Sequence, residues 1–309
     1  MMRFFFLAQL LLLFLVGCVR PFQYHCLDKP PEIPCTRIPK KIRVALVLGG
    51  GGAKGLAHIG VLEELERANI PIDIIIGCSA GSLVGALYCD TPDAEYVRSV
   101  LEPMRVGSFL DIHVLKAWYG LSEGAAMRRT LKKCLESKTF EELNLPLLIV
   151  ATDLHTGELV TIGGGPIIPA VEASSAIPVI YSPVQHYGRM LVDGGVINSC
   201  PVSVAKLLKP DIIIAVELSG ILDNTYPANI FSIARRSAEV SLLWQSENCI
   251  IGADVIIRPE LTNIGTFEKG RNHYIYEVGR EAARELIPEI KRLFEERCSA
   301  DAEELALAF

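Results

Sequence analysis

Apolar positions along this chain alternate between short unbroken runs and longer periodic stretches. Val44 to Leu48 is apolar throughout and reads as a strand buried on both faces. Four glycines, Gly49 to Gly52, then Ala53, Lys54 and Gly55 lead into Leu56 to Leu65, where apolar residues return at helical spacing. A second apolar run, Ile72 to Ile76, enters Gly77-Cys78-Ser79-Ala80-Gly81 and another helical stretch. Further on the pattern predicts helices over Ala94 to Leu101 and Gly124 to Leu135, strands over Leu145 to Thr152 and Glu158 to Ile162, and a helical turn over Pro169 to Ser175. It then predicts a strand at Met190 to Val192, a helix from Pro201, strands at Asp211 to Glu217 and Asp254 to Arg258, and a helix over Ile230 to Ile251 between them. Tyr274 to Phe294 is a helix that packs one face, with Pro288 marking a bend or break, and the acidic tail 299–309 is expected to fray. Phe109 to Leu121 has no clear period, and its aromatics read as ordinary core before they read as pocket lining. Strands in turn with helices make the expected fold a three-layer α/β/α sandwich with a mainly parallel sheet and its site at the strands' carboxyl ends.

Chemistry enters where glycines meet strand ends. Gly77 and Gly81 flank Ser79 in the spacing G-x-S-x-G, between a strand and a helix, so the chain turns sharply and the serine hydroxyl stands clear at a helix N-terminus. Unpaired amides and the positive end of that helix favour the negative charge of a tetrahedral acyl intermediate. The neighbouring glycine loop can aim further N–H groups into the same space, provided the first two strands are adjacent.

Two other readings of the glycine loop find less support. Gly50 to Gly55 fits G-x-G-x-x-G, but a dinucleotide site wants an acidic residue closing the second strand, and Asp73 precedes that strand. A phosphate-cradling loop needs Lys followed by Ser or Thr, and here Lys54 is followed by Gly55 and Leu56. A third motif, Asp193-Gly194-Gly195, stands at the end of a predicted strand; alone it reads first as a solvated Asp-Gly turn, and together with the two glycine elbows in order it reads as a catalytic carboxylate.

Taken in order, GGGAKG, GCSAG, ASSAIP at Ala173 to Pro178 and DGG at Asp193 to Gly195 resemble the four signatures of the patatin-like phospholipase family, across Val44 to about Pro259. The chain is similar to bacterial members that hydrolyse phospholipids or lysophospholipids. The resemblance implies a Ser–Asp dyad without histidine, with Ser79 as nucleophile and Asp193 as base, and an oxyanion hole from the amides of Gly50, Gly51, Gly52 and Ala53. It also places ASSAIP beside the active site. Gly49 and Lys54 stand where plant members carry Asp and Arg, which leaves the role of Lys54 open. A Ser-Asp-His esterase or thioesterase, for which only His273 follows Asp193, and a non-catalytic envelope lipoprotein or nucleotide-binding module that reuses the glycine loop remain as alternatives.

The N-terminus changes the expected location. Met1-Met2-Arg3 and the apolar run Phe4 to Val16 read as a signal peptide, residues 1–17, and Leu15-Val16-Gly17-Cys18 resembles a bacterial lipobox, implying acylation of Cys18 and anchoring to an envelope membrane. An ordinary cleaved signal or an uncleaved N-terminal anchor is the alternative. Residues 18–41, rich in proline, read as a tether ahead of a hydrolase domain over 42–298. With Cys18 acylated, eight of the nine cysteines remain, and Cys26 with Cys35 is the expected disulfide. Cys78, inside the elbow, reads as a small buried side chain. A net charge of −6 and the lack of any basic block argue against nucleic acid, and no Cys or His cluster suggests a metal; no cofactor is expected. The expected partner is a membrane lipid as substrate, and nothing in the sequence speaks to oligomeric state.

Overall fold

The computed structural model describes residues 26–27, 29–35, 37–112, 118–219 and 226–307. The predicted signal peptide and Cys18 lie outside the described residues. Strands β1 (Val44–Leu48), β2 (Ile74–Cys78), β3 (Leu147–Asp153), β7 (Ile212–Val216) and β8 (Val255–Ile257) form a parallel centre in the order β3-β2-β1-β7-β8. Three antiparallel strands extend it beyond β3: β4 (Leu159–Ile162) and β6 (Arg189–Asp193) pair with β3, and β5 (Val184–His186) pairs with β6.

Alternation along the central strands feeds two cores, because successive side chains point to opposite faces. Val44, Leu46 and Leu48 of β1 face one core, together with α1 (Leu56–Arg67), α2 (Ala80–Asp90), α3 (Ala94–Leu101), α4 (Ala125–Cys134) and α5 (Ile167–Ser174). Ala45 and Val47 face the other, where α6 (Val202–Leu207) and the end of α7 (Ile230–Cys249) pack. Helices on both faces of a mostly parallel sheet give the expected sandwich. The last helix, α8 (Asn272–Leu307), crosses α1 at two glycines: a Cβ on Gly60 or Gly279 would overlap the backbone of the other helix. Glu64 of α1 accepts from Arg280 at 2.9 Å and Arg284 at 3.0 Å, fastening the crossing.

Several expectations change. Helix α8 runs unbroken through Pro288 and the predicted tail as far as Leu307; buried Tyr276 and Ala283 before the proline and Ile290 after it hold both halves on the same core. Trp118 and Tyr119 are exposed, so they are not core. The predicted tether is docked: the Leu27 N–H donates to the Gly188 carbonyl at 2.9 Å, Ile33 packs on the core, and Cys35 bridges Gly163 beside β4. Cys26 and Cys35 are both free thiols, which corrects the predicted disulfide. Pro30, Pro31 and Pro34 favour an extended chain of about 3.1 Å per residue, whereas a disulfide needs its two Cα atoms within roughly 7 Å. Strand β5 was absent from the predicted elements. Among the described residues no helix is long and apolar enough to cross a membrane.

Register explains how the carboxylate comes to the serine. On β3, Val150 pairs with Cys78 at the end of β2, and the next residue, Ala151, pairs with Asp193 at the end of β6. Since β4 fills the other edge of β3 at both positions, β2 and β6 share one edge and meet end to end.

Candidate active site

Ser79 sits between β2 and α2 with φ 51° and ψ −119°, a conformation that costs energy for any residue with a Cβ. Its neighbours must be small. A Cβ on Gly77 would lie 2.7 Å from Ser82 Cα, and one on Gly81 would overlap the Leu48 carbonyl. Two serines of the ASSAIP segment hold the strained peptide in place: the Ser79 N–H donates to Ser174 Oγ at 2.9 Å, and Ser175 Oγ donates to the Ser79 carbonyl at 3.3 Å. The resemblance implies that this segment lies near the site, and nothing in the sequence marks that grip.

Ser79 Oγ donates to Asp193 Oδ2 at 2.6 Å, and the other carboxylate oxygen accepts the Gly195 N–H at 2.7 Å. Gly194 is required for the approach, since a Cβ there would lie 2.6 Å from the Val150 carbonyl and 3.0 Å from Cys78 Sγ. Burial raises the Asp193 pKa from 3.8 to about 6, against the lowering effect of the hydrogen bonds from Ser79 and Gly195. Burial also pushes the Cys78 thiol well up, so it stays protonated and inert beside the serine. No histidine among the described residues bonds either group. The exposed His273 instead faces Glu102, with Nδ1 3.1 Å from Oε1.

The glycine loop divides into committed and uncommitted amides. Gly50 N–H donates to the Ser199 carbonyl at 2.8 Å and Ala53 N–H to the Thr266 carbonyl at 2.9 Å. These two predicted oxyanion donors are therefore already used within the fold. Gly51 and Gly52 N–H groups, and that of Ala80 at the start of α2, have no acceptor among the described residues. Gly52 has φ +58° and lies so close to Thr266 that a Cβ would come within 2.5 Å of its carbonyl, so only glycine fits. His58 braces the loop from below. It is fully buried with its pKa lowered to about 4 by desolvation, and its neutral ring donates from Nε2 to the Gly49 carbonyl at 2.7 Å. Lys54, whose role was open, reaches across to the Leu218 and Ser219 carbonyls at 3.2 and 3.1 Å and ties the loop to the chain after β7.

A cavity of about 160 Å3 opens beside Ser79, lined chiefly by apolar side chains including Leu56, Leu83, Val84, Met127, Ile177 and Phe267. An engineered protein cavity of about 150 Å3 admits benzene, so this one has room for several methylene groups. Phe109 and Leu110 line it too, so the stretch read as core contributes to the pocket after all.

Comparison with known proteins places the chain in a family. Residues 46–206 match the family model for patatin-like phospholipases, and the chain belongs to that family. It is 31% identical over 280 residues to lysophospholipase nte1 of Aspergillus fumigatus, covering 80% of this chain and 18% of that one. It is 33% identical over 193 residues to the human patatin-like phospholipase domain-containing protein 6, covering 57% of this chain and 13% of that one. The chain thus spans under a fifth of the length of these relatives. VipD from Legionella pneumophila shares the fold, with a TM-score of 0.55 at 15% identity over 89% of this chain and 72% of that one.

Proposed function

We propose that the chain hydrolyses the carboxylic esters of phospholipids or lysophospholipids through an acyl-serine formed on Ser79. The observation that carries this reading is the buried 2.6 Å hydrogen bond from Ser79 Oγ to Asp193, beside an apolar cavity. Membership of a family whose relatives are named lysophospholipase supports the substrate class.

As Ser79 Oγ bonds to the ester carbon, its proton passes to Asp193 Oδ2, and the carbonyl π electrons move onto oxygen. The uncommitted N–H groups of Gly51, Gly52 and Ala80 receive that oxyanion. Collapse of the intermediate expels the alcohol, which takes the proton from Asp193. Water then attacks the acyl-serine, gives its proton to the same carboxylate, and the fatty acid leaves as Ser79 regains its hydrogen. A carboxylate of ordinary pKa is a weak base, and burial makes this one stronger.

Location forms part of the proposal. The lipobox-like Leu15 to Cys18 supports export and acylation of Cys18, with the lipid chains holding the domain against its substrate. Incorporation of labelled fatty acid into the full chain, and its loss in Cys18→Ala, tests this. For the chemistry, a fluorophosphonate probe labels the wild type at Ser79, and Ser79→Ala abolishes both labelling and release of fatty acid from lysophosphatidylcholine. Turnover surviving in Ser79→Ala would refute the assignment.

A further inference from the structure

Resting on that reading, we infer that Arg105 recognises the phosphate of the lipid substrate. The apolar cavity beside Ser79 explains where an acyl chain goes and says nothing about the head. Arg105 is the one cation among the residues lining that cavity, and its exposed guanidinium has no hydrogen-bond or ion-pair partner among the described residues. Other charges nearby are engaged. Glu268, also on the cavity wall, accepts from Arg271 at 2.8 Å and from the Lys269 N–H at 3.1 Å, so it does not neutralise Arg105. Lys54 is bound to two carbonyls.

The backbone that carries Arg105 is fixed on both sides. Asn272 Nδ2 donates to the Glu102 carbonyl at 2.6 Å and the Met104 carbonyl at 3.1 Å, and the Ser108 N–H donates to the Arg105 carbonyl at 2.8 Å. An unpaired, exposed guanidinium on a braced turn, lining the same apolar cavity as the nucleophile, suits a substrate with an apolar chain, an ester and then an anion. Glycerophospholipids have that order, with the phosphate one glycerol away from the ester. The planar fork of arginine pairs with two phosphate oxygens at once, which an ammonium does not.

The test compares two substrates with the same acyl chain, lysophosphatidylcholine and monoacylglycerol, in wild type, Arg105→Gln and Arg105→Lys. Loss of one exposed charge-assisted contact raises KM for lysophosphatidylcholine in Arg105→Gln about tenfold, leaves kcat within about twofold and leaves monoacylglycerol hydrolysis unchanged. Arg105→Lys falls between, keeping the charge without the fork. Equal effects on both substrates, or none on either, would overturn the role of Arg105 and leave the hydrolase reading standing. An absence of turnover and probe labelling in the wild type would instead remove the hydrolase reading. Inorganic phosphate controls for a plain anion site: inhibition of both substrates alike, lost in Arg105→Gln, would make Arg105 an effector site and overturn its contact with substrate.

Discussion

Replacing Asp193 by asparagine separates the chemical role of this carboxylate from its energetic cost. Its pKa rises from 3.8 in the unfolded chain to about 6 in the fold, and desolvation is the largest cause. Because the folded value is the higher one, the group favours folding most below pH 3.8, and that advantage disappears as pH climbs through about 6. Above this range the protein holds a buried charge at a cost of about 3 kcal/mol, from a shift of roughly two units at 1.36 kcal/mol each. An asparagine in its place would carry no charge, but its amide cannot accept from both Ser79 and Gly195, so part of the gain is lost. Asp193→Asn is therefore expected to be about 1–3 kcal/mol more stable than wild type at pH 8, a rise in Tm of roughly 2–8 °C, and no more stable at pH 4. Turnover falls by at least about a hundredfold, as for loss of a general base. Urea unfolding at both pH values, with fatty acid release alongside, measures both effects. A variant less stable than wild type at pH 8, or stabilised equally at pH 4, would show that burial of this carboxylate is not what raises its pKa.

Other expectations follow from the same geometry. In wild type, kcat/KM for a soluble ester rises as Asp193 ionises near pH 6 and then levels off; an acidic limb centred near 4 would contradict the raised pKa. Ser174→Ala leaves the Ser79 N–H buried without its acceptor, a loss of about 1–3 kcal/mol that slows fluorophosphonate labelling of Ser79 by roughly tenfold or more, whereas an unchanged labelling rate would show that the grip is dispensable. Gly81→Ala drives a methyl into the Leu48 carbonyl and is expected to cost about 3 kcal/mol or more, read as a lowered urea midpoint. His273→Ala leaves turnover within about twofold, since the ring contacts Glu102 and not Asp193; abolished turnover in a folded variant would restore the triad.

Much of the fold could be read from the chain because its central strands are buried on both faces. Val44–Leu48 and Ile212–Val216 show no polar residue to blur their limits, and each leads toward a glycine or helical pattern that marks the turn. Strand β5 had no such signal. Its three residues are half-buried or exposed, and its hairpin turns through Tyr187 and Gly188, both at positive φ, where asparagine before glycine is the usual mark. Helix α7 was legible as a helix but not in its orientation. Ile230, Ile233, Val240 and Trp244 face outward, while Ser246 is buried, the reverse of what periodicity leads one to expect. Within the site, four consecutive glycines are equivalent in the sequence. Which of their amides remain uncommitted depends on the Ser199 and Thr266 carbonyls, supplied by distant parts of the chain.

The encounter of Ser79 with Asp193 depends on a reversal of strand direction that no single motif encodes. Two parallel strands on one edge of β3 would bring the amino end of one to the carboxyl end of the other. Strand β6 runs antiparallel, so its carboxyl end meets that of β2, and the turns that leave both strands begin at the same point: Gly194 after one, Ser79 after the other. The short hairpin of β5 and β6 is what turns the chain for that approach. It follows that the direction of β6 on β3 decides whether nucleophile and base meet, and that the Asp-Gly-Gly motif acquires its chemical meaning from the register of Asp193 against Ala151.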